Sequence, residues 1–400
     1  MNETERNRPR PAGLRSLHGS PGRWSRCALA LLLTLAGVLT GTAGTAGPAG
    51  AQTAPPPAAP PAASGDVAGL VDVGGRRMYL ECRGTGSPTV VLVAGYRASG
   101  RYWTDDLLRP EAPREMVLPR LAGATRVCAY DRPGTVAAIG EDVLPSRSDP
   151  VPQPRTEADA VAELHALLGA AGVPGPYVLA GHSLGGLLAR LYAAAYPDEV
   201  VGLVLVDAYS EQVEALMTPA QWAALVRFNA EVGADTVLPI PDYGPLETIA
   251  YLAGNPLTRR AVAARPLPAL PLAVLAHGRP PELPEAAEVL SPEAVEALSP
   301  EVQPIYRASY EWQATLAPAA RFFAAHASGH DIHQEQPTLV AEAIRQVVAG
   351  VRDPDTWADL TACCAPAPGR GRATMPAGRR RRPDGADRPW ARRAPRGGSG

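Results

Sequence analysis

Apolar positions along this chain follow two periods, and the change from one to the other lays out its elements. Short continuous apolar runs recur at Thr89 to Ala94, Arg126 to Asp131, Tyr177 to Ala180, Val201 to Asp207, Pro271 to Ala276 and Arg321 to Ala325. Runs of this length with no polar face predict strands covered on both sides. Between them the spacing turns helical. In Thr156 to Ala171 the residues Ala158, Val161, Leu164, Leu167 and Leu168 share a face, with Thr156 as N-cap and Asp159 completing a capping box. Pro337 to Val348 predicts a closing helix. Ahead of all these, Val67 to Val73 and Arg77 to Cys82 flank Gly74-Gly75 and predict an antiparallel hairpin. Strands alternating with helices after an antiparallel start predict an α/β fold: a mostly parallel central sheet with helices on both faces. The stretch from about 210 to 265 breaks the rhythm with short helical patterns, Pro219 to Val232 and Glu247 to Ala253, and several aromatics. An insertion there sits above the carboxyl edge of the sheet, where ligands bind in such folds, and is read as a helical lid.

The ends of the 400-residue chain do not share this pattern. Arginines 6, 8, 10, 15, 23 and 26 precede an apolar run, Cys27 to Thr40, and Ala49-Gly50-Ala51 fits a small-residue cleavage site. That three-part plan predicts a secretory signal peptide over 1–51 and an extracellular protein. The alternative is a membrane anchor through an uncleaved N-terminal segment, since Gly41 to Gly47 extends the run. After cleavage no stable membrane anchor is expected. Residues 52–65 are Pro/Ala-rich and predict an extended linker, and 353–400 an Arg-rich disordered tail. The folding unit is therefore 66–352. All basic residues are arginine, and the net charge of −2 gives no hint of a nucleic-acid partner.

The candidate chemistry centres on Gly181-His182-Ser183-Leu184-Gly185-Gly186, between the run at Tyr177 and a helical stretch from Leu187 to Tyr196. Strand, sharp turn and helix put Ser183 at the apex in a strained conformation, and the residues two before and two after must be small. Gly181 and Gly185 meet that demand. A serine nucleophile needs a base within hydrogen-bond reach. The core offers His165, His182, His277, His326, His330 and His333. The loop Ala327 to His333 falls after the last strand, in the chain order nucleophile, acid, histidine, and Gly329 lets it turn sharply, so His330 is the expected base with His333 as the alternative.

The motif at Ser183, together with Tyr130-Asp131-Arg132-Pro133-Gly134 and Ser328-Gly329-His330 followed by Gln336-Pro337, resembles the α/β-hydrolase superfamily, in particular its secreted actinobacterial esterase-like members. The resemblance implies a Ser–His–acid triad, an acyl-enzyme mechanism, a small-molecule ester substrate and no cofactor. It usually places the acid after the strand that is here Pro271 to Ala276, where Glu282 is the carboxylate of the following loop. Some members place it one strand earlier, where Asp207 stands; Asp207 is preferred and Glu282 kept as the alternative. The oxyanion donors are expected from the backbone N–H groups of Leu184 and Tyr96, although Ala94-Gly95 replaces the His-Gly of many relatives. In the usual strand order of the fold, Cys82 and Cys128 lie on neighbouring strands, which implies a disulfide in a secreted protein. No Cys/His spacing predicts a metal site, and no Gly-rich loop predicts a phosphate site. The same triad serves amidases, aminopeptidases and carbon–carbon hydrolases, and a hydrolase fold can also be a non-catalytic binding protein. Ser183 argues against members that use an aspartate nucleophile.

Overall fold

The computed structural model describes residues 65–140, 142–235, 243–280, 291–296 and 299–359. Residues 1–51, expected as a signal peptide, the expected linker up to residue 64, Glu282 and the chain from residue 360 lie outside the described residues.

The hairpin forms as expected, β1 Val67–Asp72 against β2 Arg77–Arg83, with Gly74 and Gly75 at positive φ in the turn. The remaining strands of the main sheet are β3 Thr89–Val93, β4 Val127–Tyr130, β7 Tyr177–His182, β8 Val200–Val206, β9 Leu272–His277 and β10 Arg321–Ala325. They assemble in the order β1-β2-β4-β3-β7-β8-β9-β10. Pairs involving β2 are antiparallel and all others parallel. Two short strands, β5 Val136–Ile139 and β6 Asp142–Pro145, make a separate ribbon that no apolar run announced.

Every residue of β3 is buried, because alternate side chains serve two cores. Val91 and Val93 pack with α3 Glu157–Ala170 and α4 Leu184–Ala195, whereas Val90 and Leu92 pack with α2 Val117–Ala122, which follows the short α1 Arg101–Thr104, and with α11 Pro337–Arg352. This two-sided burial is why the central strands read as unbroken apolar runs. The capping box of α3 is complete: Thr156 Oγ1 accepts from the Asp159 N–H, and Asp159 accepts from the Thr156 N–H.

The interval after β8 carries α5 Gln212–Leu216, α6 Pro219–Asp235 and α7 Tyr251–Ala264. Arg190 of α4 grips Glu211 at the start of this interval through two 2.9 Å bonds, with both side chains 1 % exposed. The expected helix from Glu247 to Ala253 is corrected: α7 begins at Tyr251, and Glu247 is a buried loop residue whose carboxylate is engaged elsewhere. The short α8 Pro292–Val295 and the longer α9 Gln303–Gln313 lie between β9 and β10, and α9 adds aromatic side chains above the sheet edge. Its mixed Tyr, Gln and Trp composition hid it from the apolar pattern.

The tail boundary at 353 is also corrected. After α10 Ile332–Glu335 and α11, a further helix, α12 Pro354–Asp359, buries Trp357. A methyl group on Gly350 would lie 2.8 Å from the Trp357 ring, so α11 and α12 pack closely there. Trp357 Nε1 donates to the Ala319 carbonyl at 2.9 Å.

Cys82 and Cys128 face each other across β2 and β4 and are joined by a disulfide. Closing a loop over a separation of 46 residues restricts the unfolded chain by about 4 kcal/mol in the chain-entropy picture. The paired Cys82→Ser and Cys128→Ser variant is accordingly expected to unfold at lower urea, with a slope no smaller than the parent's because the freed unfolded chain exposes more surface, while its turnover at moderate temperature stays as in the parent.

Candidate active site

The turn from β7 into α4 is built by its glycines. A methyl group on Gly181 would strike the Gly185 carbonyl, one on Gly185 the Val93 carbonyl, and one on Gly186 the Ala208 side chain. Only bare backbone lets strand and helix approach this closely. Ser183 at the apex has φ 52° and ψ −123°. Its N–H donates to the Val206 carbonyl at 3.1 Å, and its own carbonyl accepts from Gly186 and Tyr209, both at 3.0 Å. Among the described residues, the non-glycine positions with positive φ are Arg97, Ser183 and Asp207. All three lie at the carboxyl edge of the sheet, and backbone strain of this kind clusters at functional sites.

Asp207 ends β8, 1 % exposed, and its N–H is held by the Leu275 carbonyl at 2.7 Å. One carboxylate oxygen accepts from His330 Nδ1 at 2.6 Å. The other accepts from the His277 backbone N–H at 2.8 Å, and His277 Nδ1 is 2.9 Å from both oxygens. Burial works against the Asp207 charge, but the hydrogen bonds from His277 and His330 outweigh it, and its pKa lies well below the usual carboxylate value. The reciprocal effect appears on His330. Partial desolvation lowers its pKa, the Asp207 bond and charge more than offset this, and the result is raised to about 9. With Nδ1 committed to Asp207 and the side chain 54 % exposed, Nε2 is the ring edge left for chemistry.

The structure thus brings Asp207 to His330. Glu282, the alternative acid, lies outside the described residues. His333, the alternative base, is fully buried against Trp103 and His182, and burial holds its pKa well below the ordinary value. His182 is buried as well, with its pKa lowered to about 4 by burial, and its Nε2 donates to the His330 carbonyl at 3.0 Å. His165 pairs with Glu199 at 3.0 Å, remote from Ser183, and His326 is exposed after β10. His277 is the residue the sequence reading missed as a partner of the acid. Its position at the end of β9, beside Asp207 at the end of β8, was the available signal.

The loop after β3 packs against the elbow: a methyl group on Gly95 would lie 2.9 Å from His182 Nδ1 and 3.3 Å from the Ser183 Cβ. This explains Gly95 and sets the Tyr96 peptide next to the turn. The loop is clamped from beneath. Arg132 donates to the Ala94 carbonyl at 2.8 Å, to the Gly95 carbonyl at 2.5 Å and to Glu247 at 2.6 and 3.0 Å. Glu247 also accepts from the Arg97 N–H at 2.7 Å. Asp131, the other charged member of that motif, holds the Gly100 N–H at 2.9 Å and Arg147 at 2.8 Å. Arg132 and Glu247 are buried, so removing one leaves an unpaired charge in the interior. Glu247→Ala is expected to cost about 3–5 kcal/mol in chemical unfolding, and Arg132→Met with Glu247→Met together is expected to cost less than the single change.

Ser183, Asp207, His277 and His330 line one cavity of about 310 Å³, together with Val213, Leu225, Phe228, Tyr251, Tyr306 and Tyr310. The volume is at the small end of the range for small-molecule sites, roughly 300–1,000 Å³. Its walls come from the interval after β8 and from α9.

A mostly parallel sheet carrying a serine on a tight strand-to-helix turn, roofed by inserted helices, defines a hydrolase-type α/β protein. The chain belongs to the Alpha/beta hydrolase family, whose profile matches residues 90–343. It is 35 % identical over 153 residues to an uncharacterized protein of Schizosaccharomyces pombe, a match covering 34 % of this chain and 27 % of that protein. It is 33 % identical over 124 residues to a putative carbamate hydrolase RutD of Cronobacter turicensis, covering 31 % of this chain and 39 % of the relative. The chain therefore spans well under half the length of these two relatives. Among solved structures, a thermophilic esterase from Thermogutta terrifontis is 21 % identical with a TM-score of 0.47, over 71 % of this chain and 99 % of that one. No helix among the described residues is long and apolar enough to cross a membrane.

Proposed function

We propose that this protein is a secreted serine hydrolase that cleaves carboxylic esters through Ser183, His330 and Asp207. The observation that carries the reading is the 2.6 Å bond from His330 Nδ1 to a buried, ionised Asp207, both lining one cavity with a strained Ser183. In this mechanism His330 Nε2 takes the Ser183 proton as Oγ attacks the ester carbonyl. The N–H groups of Leu184 and Tyr96 stabilise the tetrahedral oxyanion; that of Leu184 opens α4, where helix N–H groups lack intrahelical acceptors. His330 then protonates the leaving alcohol and activates the water that releases the acid. Asp207 orients the imidazole and stabilises its cation.

The lining favours uncharged acyl groups of small to medium size, since Phe228, Leu225, Tyr306 and Tyr310 supply apolar contact and, among the described residues, no arginine lines the cavity. The test is labelling by a fluorophosphonate probe followed by turnover of a series of nitrophenyl esters of increasing chain length. A folded wild type that takes up no probe refutes the serine mechanism. A nitroanilide or carbamate cleaved faster than every ester moves the bond specificity to the amide class.

His277 is a positioning residue in this mechanism. Partial burial lowers its pKa, but its bonds and proximity to Asp207 reverse that and leave it raised. It holds Oδ1 of the carboxylate through its backbone N–H and reaches both oxygens through Nδ1, while His330 bonds Oδ2. His277→Ala is expected to lower kcat by roughly 10²-fold through misplacement of Asp207, with KM little changed and with partial rescue in His277→Gln. Loss in KM alone would assign His277 to substrate binding instead.

Secretion is supported by the arginine-flanked apolar run at the N-terminus and by the Cys82–Cys128 bridge, a bond that persists in oxidising compartments. Mass spectrometry of protein from the culture medium is expected to find Gln52 at the mature N-terminus; recovery only in the membrane fraction with residues 1–51 intact favours the anchor.

A further inference from the structure

Behind the substrate cavity, three imidazoles lie ring to ring, starting from the cavity residue His330. The His330 and His182 centroids are 4.6 Å apart, and those of His182 and His333 are 4.1 Å apart. His182 and His333 are both buried, yet both ring nitrogens of His333 have no hydrogen-bond partner. Buried polar groups are satisfied as a rule, and an orphan calls for a ligand or a functional reason. Asp331 supplies a carboxylate at the same place, with Oδ1 3.7 Å from His182 Nε2 and the side chain 46 % exposed. One donor atom each from His182, Asp331 and His333 falls within 4.8 Å of the others.

We propose that His182, Asp331 and His333 form a binding site for a divalent transition-metal cation of the zinc type. Two neutral imidazoles and one carboxylate are the donor set that zinc accepts, whereas calcium and magnesium require mainly oxygen ligands and Cu(I) prefers sulfur. Three protein donors leave a coordination position for water, and the half-exposed Asp331 gives the cation a way in. The spacing of these residues along the chain could not reveal the set. His182 comes from the end of β7, and the other two from the loop and short helix after β10.

The ligands are next to the proposed machinery: His182 precedes Ser183, and Asp331 follows His330. His182 Nε2 now donates its proton to the His330 carbonyl at 3.0 Å. A cation bound at that nitrogen needs its lone pair, so the proton moves to Nδ1, the ring stays neutral, and the bond to the His330 backbone is lost. Occupancy therefore loosens the loop that presents His330 and inhibits turnover. This consequence, unlike the binding itself, rests on the hydrolase reading above.

The test uses the untagged full chain, stripped with EDTA and dialysed against micromolar Zn²⁺, with bound metal measured directly. Wild type is expected to retain one Zn²⁺ per chain. Asp331→Asn and His333→Gln are expected to bind it weaker by about tenfold or more, and His165→Gln to bind it as wild type does. Zn²⁺ should inhibit wild-type ester turnover reversibly, and the same concentration should leave each of the two ligand variants at its own metal-free rate. No uptake by wild type overturns the proposal. So does uptake that persists undiminished in both variants when circular dichroism shows them folded. Uptake as expected in a chain that turns over no ester keeps the metal site and removes the hydrolase reading.

Discussion

Replacing Ser183 by alanine is expected to lower kcat on a chromogenic ester by about 10⁵–10⁶-fold and to abolish fluorophosphonate labelling. In the proposed mechanism the side chain supplies the atom that forms the acyl-enzyme, so no neighbouring group can substitute for it; the residual rate comes from whatever the oxyanion donors and cavity still provide. The fold should tolerate the change. The φ of 52° is held by the bonds of the Ser183 N–H and carbonyl to Val206, Gly186 and Tyr209, none of which uses the hydroxyl. Stability in urea close to that of wild type, beside a collapsed rate, is the pattern that assigns Ser183 to chemistry. A variant retaining more than about a tenth of the activity would be incompatible with an acyl-enzyme at Ser183.

Asp207→Asn is expected to cost about 10⁴-fold in kcat with KM little altered. Asparagine keeps the shape but removes the charge that stabilises the His330 cation and the acceptor that fixes its tautomer. It also disturbs His277, whose N–H and Nδ1 bond the same carboxylate. The pH profile supplies an independent check. In the proposed mechanism only neutral His330 can take the Ser183 proton, so kcat/KM in chelator-containing buffer is expected to rise with pH through the His330 pKa. That value is raised to about 9 because Asp207 favours the charged ring more than desolvation disfavours it. Activity is therefore lost as pH falls through this range, and the midpoint stands above the ordinary histidine value of about 6.5. In Asp207→Asn the raising interaction is gone and the midpoint moves down. A midpoint identical in the two proteins would show that another group controls the profile.

Much of the fold was legible because burial on both faces leaves a direct mark on the chain. The apolar runs at Thr89, Tyr177 and Val201 became β3, β7 and β8, and Thr156 with Asp159 capped α3 as its side chains require. Elements without a continuous apolar face were not legible. The β5–β6 ribbon pairs locally but carries no continuous apolar run, α9 is built from residues whose partners lie far along the chain, and Glu247 carries a charge that reads as solvated until Arg132 is placed beside it.

The site divides along the same line. The constraint at Ser183 is local, because Gly181, Gly185 and Gly186 surround it within a few residues and their smallness is a demand of the turn itself. The sequence alone therefore determined the strand, the turn, the helix and the serine between them. Which carboxylate faces His330 is a contact across 123 positions, made by the ends of neighbouring strands and the loop after β10. No local spacing records such a contact. Only the tertiary structure placed Asp207 on His330, set His277 against the same carboxylate, and brought His182 against His333. Hydrogen bonds and ring contacts between distant segments depend on strand order and register, and these follow from packing of the whole sheet.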